Sequence, residues 1–404
     1  DALPIYLIHK SGTVVYFVAN DGVAGYELWK SGGTALNTQM VADLNAGASG
    51  STFYELRGTS AAMFFTRDIG GAVPGLYKTK GTAADTALVQ YSGVNIQAHS
   101  LIDAGSFLYF THINQSNKAW AVDGGTSGIN TWVTHGSEPT NYIDLFDPHQ
   151  VVNNVLYFSG RSNGAGSNLF WKIGAKAAAV EIVKAAGGSL VDVDYVKPSG
   201  TTVYFVCESD LWKLDATGKG VLVKDCTPAP TYPRVAGIIG GANGYLFFTV
   251  ETANQVYEFW QTKGTSADTV QVMDLNNNTF LLDAPDAGVT AGTRCFFGVG
   301  EMAWTTDGTK ANTKVLQDSK GNVLILGAIG EITGVVGLTA KLLFPYDDGT
   351  GTELWESDGT PANTKMVKDV NPFGGVGFYG GCVIGTTVYL IIDDGIYGRE
   401  LWKK

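Results

Sequence analysis

The residues that could do the most varied chemistry lie together in one stretch of the sequence, NTWVTHGSEPTNYIDLFDPHQ (130–150). It combines aromatic rings, imidazoles and carboxylates, and loops that carry such side chains often form binding surfaces. We expect a contact surface here, and the alternative is an irregular loop without function. The candidate binding residues are Trp132, His135, Glu138, Tyr142, Asp144 and His149.

Paired aspartates are candidate calcium ligands, because hard oxygen ligands in loops can bind this ion. Asp347 and Asp348 lie in YDDGTG, and Asp393 and Asp394 lie in IDDGIYG. The chain has no EF-hand-type loop, however, and Asp-Gly is a common pair in turns. The sequence therefore favours turn formation and predicts no cofactor, with calcium as the alternative.

Histidines and nucleophiles form no recognisable catalytic motif. His9, His99 and His149 fall in or near the first strand of a repeat, but nothing places them at one level, as a shared metal ion would require. The chain has neither a GxSxG elbow nor a Cys/His pair. We predict no catalytic residue and no metal site; a pair of carboxylates for glycan cleavage stays open.

Charge and cysteine content restrict the partners further. Lys and Arg number 27 and Asp and Glu number 38, so the net charge is −11, which disfavours nucleic acid and anionic membranes as partners. No apolar run is long enough to span a bilayer. Cys207 and Cys226 end strands on either side of a third strand, about 10 Å apart, so we expect free thiols.

These side chains are carried by a repeat that runs through the whole chain. Nine lines align on one aromatic residue, and the spacing between lines ranges from 41 residues (Trp171 to Trp212) to 51 (Trp120 to Trp171). The aligned residues are Trp29, Tyr77, Trp120, Trp171, Trp212, Trp260, Trp304, Trp355 and Trp402.

Each line reads as four short β-strands separated by turn residues, such as VVYFV, YELWKS and QMVADL in the first line. Four strands per roughly 45 residues is the unit of a β-propeller blade. The sequence predicts an all-β fold, a β-propeller of eight or nine four-stranded blades, in a single domain that spans residues 1–404. A parallel solenoid is the rival architecture, but its coils are usually shorter.

The best-preserved lines resemble the bacterial ELWxxDGT repeat. Glu353, Leu354, Trp355, Asp358 and the following Gly-Thr match it, whereas the first line has Gly32 in place of the aspartate. Proteins with this repeat look like secreted or surface propellers of bacteria. The resemblance therefore implies an extracellular or cell-surface location more than it implies an activity.

The last line stops after GRELWKK, where a fourth strand is expected. Three explanations remain open: a three-stranded ninth blade, a strand from outside this chain, or eight blades with one line as an appendage. An unpaired edge strand invites strand addition by a partner.

We therefore expect a non-catalytic binding or structural module, a subunit of a surface assembly or filament that strand addition completes. Its partner would be another protein or another copy. A glycan-binding lectin is the alternative, and a polysaccharide-degrading enzyme is the second alternative.

Overall fold

The computed structural model describes residues 4–68, 74–91, 93–112, 115–123, 131–133, 149–161, 168–174, 181–190, 192–226, 233–275, 288–326, 336–338, 340–372 and 374–404. Within these residues the chain is all-β, and its only helices are single 3-10 turns. No helix in these ranges is long and apolar enough to cross a membrane.

The described strands form nine consecutive antiparallel sheets, so the chain is a nine-bladed β-propeller. Blade 1 consists of β1 (Ile5–Ser11), β2 (Val14–Asn20), β3 (Tyr26–Ser31) and β4 (Thr38–Ala42). Blade 2 consists of β5 (Phe53–Gly58), β6 (Met63–Arg67), β7 (Gly75–Thr79) and β8 (Ala87–Leu88). Blade 3 consists of β11 (Ala98–Ala104), β12 (Phe107–His112), β13 (Gln115–Asp123) and β14 (Thr131–Val133). Blade 4 consists of β15 (His149–Val152), β16 (Val155–Arg161), β17 (Asn168–Ile173) and β18 (Glu181–Ile182). Blade 5 consists of β21 (Val193–Ser199), β22 (Thr202–Cys207), β23 (Asp210–Leu214) and β24 (Gly220–Lys224). Blade 6 consists of β25 (Arg234–Ala242), β26 (Tyr245–Ala253), β27 (Val256–Thr262) and β28 (Val270–Asp274). Blade 7 consists of β29 (Val289–Ala291), β30 (Arg294–Val299), β31 (Met302–Thr306) and β32 (Lys314–Val315). Blade 8 consists of β33 (Val336–Gly337), β34 (Leu342–Asp347), β35 (Thr352–Ser357) and β36 (Lys365–Lys368). Blade 9 consists of β37 (Gly377–Ile384), β38 (Thr387–Asp393) and β39 (Arg399–Lys403).

Two short hairpins stand outside this pattern. β9 (Gln90–Tyr91) pairs with β10 (Val94–Asn95) as a separate two-stranded sheet. β19 (Lys184–Ala185) pairs with β20 (Gly188–Ser189) and adds to the outer edge of β24, which makes the fifth sheet six-stranded. The four-strand unit is therefore regular, whereas the segments that connect the blades vary.

Among the described residues, a 3-10 turn separates the third and fourth strands in five blades. The turns are Ala35–Asn37, Ala83–Asp85, Ser266–Asp268, Lys310–Asn312 and Pro361–Asn363. A hydroxyl pair closes each one: in blade 1 the Oγ of Ser31 lies 2.7 Å from Thr38 Oγ1, and in blade 8 Ser357 and Thr364 are equally close. This local bonding explains why Ser or Thr recurs at these positions, seven residues apart.

The predicted aromatic column forms the buried centre of each blade. The residues Phe17, Phe65, Phe110, Phe158, Phe205, Phe248, Phe297, Phe344 and Leu390 are all at most 2% exposed. The aligned tryptophans pack between blades, since Trp120 joins a core cluster with Phe64 and Leu76 of blade 2. Trp355 likewise packs with Phe296 of blade 7. The expectation that the tryptophans are structural wedges is confirmed at these positions.

The ninth sheet has three strands among the described residues, in the order β37-β38-β39. The prediction of an incomplete last blade is confirmed, and of the two blade counts the structure has nine. The four cysteines are free thiols, as expected, and three of them are buried.

The contacts within the chain divide it into two compact units. One comprises Asp1–Ser167, Trp171–Glu181 and Val376–Lys404, and the other comprises Asn168–Phe170 and Ile182–Gly375. The ninth blade therefore belongs to the same unit as blade 1. The assignment of residues 1–404 to a single domain stays a prediction.

Blade 9 packs on blade 1 within the first unit. Tyr389 and Ile391 of β38 share a core cluster with Ile5 and Phe17. Two lysines tie the blades at their backbones: Lys10 Nζ donates to Val383 O at 2.7 Å, and Lys403 Nζ donates to Gly33 O at 2.5 Å.

Candidate functional site

The contact surface expected in blade 3 lies largely outside the described residues. His135, Glu138, Tyr142 and Asp144 all fall there. Trp132 lies on β14, opposite Trp120 in the strand pairing, and His149 opens β15 opposite Phe158. The predicted surface thus stays a prediction.

The two other histidines of the first strands bond to neighbouring strands, one through a backbone N–H and the other through a hydroxyl. The Nδ1 atom of His9 accepts the Gly58 N–H at 3.0 Å, and burial lowers the pKa of its imidazole. His99 Nδ1 lies 2.9 Å from Thr111 Oγ1 on the neighbouring strand. No cluster of three or more metal-ligating side chains occurs among the residues described.

The aspartates of the DG pairs bond to their own turns. Asp394 Oδ1 accepts the N–H groups of Ile396 and Tyr397, and these bonds lower the pKa of its carboxyl. Asp358 accepts the N–H of Thr360 at 2.9 Å and the side-chain amide of Asn363 at 2.8 Å. These contacts are those expected of turn formation.

The most distinctive feature of the fold is the outer edge of β39. Val388 and Lys404 exchange two backbone hydrogen bonds of 2.8 and 2.9 Å, which fixes the alternation along the β38–β39 pair. Leu401 and Lys403 pair with Ile391 and Tyr389 at the intervening positions, so their N–H and C=O groups point away from β38. No described strand pairs with that side of β39.

A carboxylate at one repeat position shows what this edge lacks. In blade 1, Glu27 accepts the N–H groups of Leu44 and Asn45, just after the fourth strand, at 3.1 and 3.3 Å. In blade 8, Glu353 accepts the Val370 N–H at 2.8 Å. The carboxylate thus anchors the chain where it leaves the fourth strand.

Blade 5 uses a shorter side chain for the same contact, since Asp210 accepts the Cys226 N–H at 2.7 Å. Blade 6 is an exception: Glu258 accepts the indole N–H of Trp260, and the Leu275 N–H bonds to Tyr257 O instead. Three blades therefore share the anchor.

Glu400 occupies this position in blade 9. Among the described residues no N–H or O–H donates to its carboxylate, which lies half-buried in the groove beside β39. Burial raises the pKa of Glu400, and the charge of Asp394 adds to the rise. The carboxylate is therefore desolvated without the backbone donors that its counterparts have.

The glycine two residues before the carboxylate also has different surroundings in blade 9 than in blades 1 and 8. An added Cβ at Gly25 would lie 2.5 Å from Gly50 Cα, and one at Gly351 would lie 2.7 Å from Gly375 N. Each glycine thus admits the backbone that returns from the fourth strand. Gly398, with a φ of +82°, has nothing within 4 Å of the same point.

Two open grooves flank β39. One holds about 490 Å³ and is lined by Ile5, Phe17, Gly33, Tyr389, Glu400 and Leu401, among others. The other holds about 640 Å³ and is lined by Pro4, Tyr6, Tyr26, Asp393, Gly398 and Arg399, among others. Leu401 stays partly exposed, whereas its counterpart Leu28 in blade 1 is fully buried.

The sequence predicted the open edge but not the residues that make it a site. In the sequence, Glu400 and Gly398 are recognisable only as members of the repeated Gly-x-Glu-Leu-Trp segment. The signal that could have found them is the joint recurrence of Gly-x-Glu-Leu-Trp before a fourth strand that ends in Val-x-Asp, in blades 1 and 8.

No protein-family model matches the chain, and no curated protein sequence does. Solved structures are similar in fold alone. The chain is 12% identical to a structure from an analysis of two prolyl endopeptidases, with a TM-score of 0.42. The match covers 97% of this chain and 53% of that chain. It thus spans about half of that protein.

Two further structures are similar over most of their own length. The β-propeller domain of the Trilobed protease from Pyrococcus furiosus, described as having an open velcro topology, is 11% identical, with a TM-score of 0.36. The match covers 79% of this chain and 99% of that one. Apo AztD from Citrobacter koseri is also 11% identical, with a TM-score of 0.40 and coverages of 90% and 94%.

Proposed function

We propose that this chain is a non-catalytic binding and structural module that accepts an extended polypeptide strand along the free edge of β39. The observation that carries the proposal is the asymmetry between the blades. The third strands of blades 1 to 8 each pair with a fourth strand, whereas β39 ends its sheet among the described residues.

Strand addition follows from the physics of such an edge. A row of unpaired N–H and C=O groups is a template for another strand, and main-chain hydrogen bonds then provide affinity. β39 has no proline and no bulge in its pairing with β38, so nothing in its own sequence blocks an added strand. The module would thereby be completed as a subunit of a larger assembly.

The proposal includes an extracellular or cell-surface location. The support for this location is the resemblance of residues 353–360 and their neighbours to the ELWxxDGT repeat of secreted or surface proteins. A surface assembly built by strand addition is consistent with the acidic, nucleic-acid-disfavouring charge of the chain.

A binding experiment with a strand peptide tests the edge directly. The probe is a fluorescently labelled peptide with the sequence of residues 360–375, TPANTKMVKDVNPFGG, which includes the fourth strand of blade 8. We expect its anisotropy to rise on titration with the intact chain. Absence of binding at millimolar chain concentration would contradict the proposed function.

Two variants at one position show whether the backbone edge is used. Lys403→Pro removes an N–H that points away from β38, whereas Lys403→Ala keeps it; both lose the contact of Lys403 Nζ with Gly33 O. We expect the proline variant to lose peptide binding and the alanine variant to retain it, with unchanged circular dichroism in both. Equal binding by the two variants would place the peptide elsewhere.

A further inference from the structure

The histidine on the first strand of blade 1 lies where blades 1 and 2 meet. Gly58, at the end of β5, donates its N–H to the Nδ1 atom of His9 on β1 at 3.0 Å. The hydroxyl of Ser11 donates to Thr59 O at 2.7 Å, and a Cβ added at Gly58 would overlap Lys10 O. The two backbones therefore approach closely, and we call these five residues the β1–β5 joint.

The Nδ1 atom of His9 has one donor and one acceptor within reach. The Gly58 N–H is the donor, and Lys10 O, also 3.0 Å from Nδ1, is the acceptor. An imidazole nitrogen without a proton accepts a hydrogen bond, and one that carries a proton donates, so Nδ1 cannot bond to both groups at once. The bond from Gly58 assigns the proton of the neutral ring to Nε2. The joint thus offers one partner to each protonation state of Nδ1.

The surroundings of His9 favour its neutral form. Burial has the largest effect and lowers the pKa of the imidazole, and the positive charges of Arg57 and Lys10 lower it further. The Lys10 carbonyl and the Asp103 carboxylate act in the opposite direction but do not outweigh these effects. His9 is therefore neutral at pH 7, and its Nδ1 atom accepts the Gly58 N–H.

Four further titratable side chains lie on the strands around the joint. Burial raises the pKa of Tyr16, which pairs with His9 across β2, and it raises the pKa of Cys382 on β37 to about 11. Burial also raises the pKa of Asp103 on β11, whereas the carboxylate of Glu55 on β5 is bonded to the backbone of β11. Tyr16 and Cys382 are thus neutral from pH 7 downwards, and the cations of the joint are opposed by the single carboxylate of Asp103.

We propose that the β1–β5 joint is a proton-operated switch in which His9 exchanges one backbone partner for another. At neutral pH the imidazole accepts the Gly58 N–H and so contributes a bond between blades 1 and 2. A proton taken up from solvent at Nδ1 ends this bond, and the new N–H donates to Lys10 O on the same strand as His9. This inference goes beyond the proposed function and does not depend on it.

Acid should therefore weaken the joint. The pKa of His9 in the folded chain lies below its ordinary value of 6.5, so the contribution of the Gly58 bond to stability is fully present above pH 6.5. The contribution decreases as the pH falls from 6.5 and is lost below the lowered pKa of the folded chain. Protonation also places a third positive charge beside Arg57 and Lys10, which adds repulsion to the loss of the bond.

Hydrogen exchange at Gly58 measures the switch. NMR on the intact chain gives the protection factor of each amide, corrected for the intrinsic exchange rate, from about pH 8 to about pH 4. We expect the protection factor of Gly58 to fall about tenfold towards acid pH, as for the loss of one hydrogen bond. The Thr59 amide donates to Ala62 O at 2.9 Å within blade 2, so it is the internal reference and should keep its protection.

Two substitutions at His9 separate the acceptor from the charge. In His9→Asn an amide oxygen replaces Nδ1 as the acceptor and does not titrate, so the protection factor of Gly58 should stay high at every pH. His9→Ala removes the acceptor, and protection should be about tenfold lower at every pH. His99→Asn is the matched control, because His99 bonds to Thr111 rather than to Gly58; it should keep the pH profile of the unmodified chain.

Substitution of the neighbouring charges should move the transition in opposite directions. Arg57→Gln removes a charge that lowers the pKa of His9, so protection at Gly58 should fall at a higher pH. Asp103→Asn removes a charge that raises this pKa, so protection should fall at a lower pH. Shifts in the same direction would overturn the assignment of the transition to His9.

The unmodified chain decides the question even where a variant does not fold. The imidazole signal of His9 is titrated in the same samples, and its midpoint should coincide with the midpoint of the Gly58 transition. An imidazole that stays neutral throughout, or a protection factor that stays constant while His9 titrates, would overturn the switch. A parallel fall at Thr59 would overturn it as well, because blade 2 would then be unfolding rather than losing one bond.

Discussion

At the scale of single residues, the recurring carboxylates hold backbone rather than perform chemistry. Asp268 accepts the N–H groups of Lys263 and Thr265 at 2.9 and 3.1 Å and the Thr265 hydroxyl at 2.6 Å. Burial alone would raise the pKa of Asp268, but these hydrogen bonds outweigh it and lower the pKa to about 2. The aspartate thus acts as a fixed cap of the turn before the fourth strand of blade 6.

Asp268→Asn should therefore lower stability in a pH-dependent way. The pKa is lower in the folded chain than its ordinary value of 3.8, so the contribution is present above pH 3.8 and is lost as the pH falls through about 2. We expect a loss of about 1 kcal/mol at pH 6, as for a removed cap. Thermal unfolding at pH 6 and pH 2 measures it, with the exposed Asp43→Asn as control; an equal loss at both pH values would refute the role.

Glycine at the start of the third strand has a role that depends on the returning chain. Gly25→Ala places a Cβ against the backbone of Gly50, whereas Gly398→Ala meets nothing. Both residues have positive φ, which costs about 1 kcal/mol for alanine. We expect Gly25→Ala to destabilise the chain by about 3 kcal/mol or more and Gly398→Ala by about 1 kcal/mol in urea unfolding. Equal losses would mean that the close approach carries no energy.

At the scale of strands, the fourth strand shields side chains of the third strand from solvent. Leu28 and Leu401 occupy one repeat position. Leu28 has a fourth strand beside it and is fully buried, whereas no described strand pairs with the outer side of β39. The sheet pairing on the other side of each leucine is the same, with Val18 and Ile391 as the partners. The difference in burial therefore comes from the missing strand.

Leu28→Ala should then cost more than Leu401→Ala. A fully buried leucine that becomes alanine loses about 3 kcal/mol, and a partly exposed one about 1 kcal/mol. Urea denaturation of both variants measures the two losses. The strand peptide should enlarge the second loss by covering Leu401; a loss at Leu401 that is already as large without peptide would contradict an uncovered edge.

The sequence predicts some strands of the fold and not others. The period and the strand runs predict the four-strand unit because side-chain alternation and turn residues are local signals, as in β2 and β3. The hairpins β9–β10 and β19–β20 were not predicted, because strands of two residues carry no periodicity. The sequence does not reveal the role of Glu400, because its counterparts act through backbone groups that lie 16 or 17 residues away, as Asp210 does with Cys226 and Glu27 does with Leu44.

At the scale of the whole molecule, the two ends of the chain meet in one compact unit. Residues 376–404 belong with residues 1–167, and the last blade buries Ile5 and Phe17 of the first. The contacts join residues that are far apart in the sequence, such as Lys10 and Val383, which are 373 positions apart. Folding of this unit therefore requires a long-range closure, which is slow compared with local hairpin formation.

Deletion of residues 386–404 should expose the core of blade 1. It removes β38 and β39, and with them Tyr389 and Ile391, which pack on Ile5 and Phe17. We expect amide hydrogen exchange to accelerate most in β1 and β2, with loss of folding or of assembly, because buried apolar side chains become exposed to water. Exchange in β34 and β35 is the internal reference. A soluble, stable monomer in which β1 and β2 exchange as slowly as before would show that blade 9 is dispensable, and the edge of β39 could then not be the point at which the module is completed.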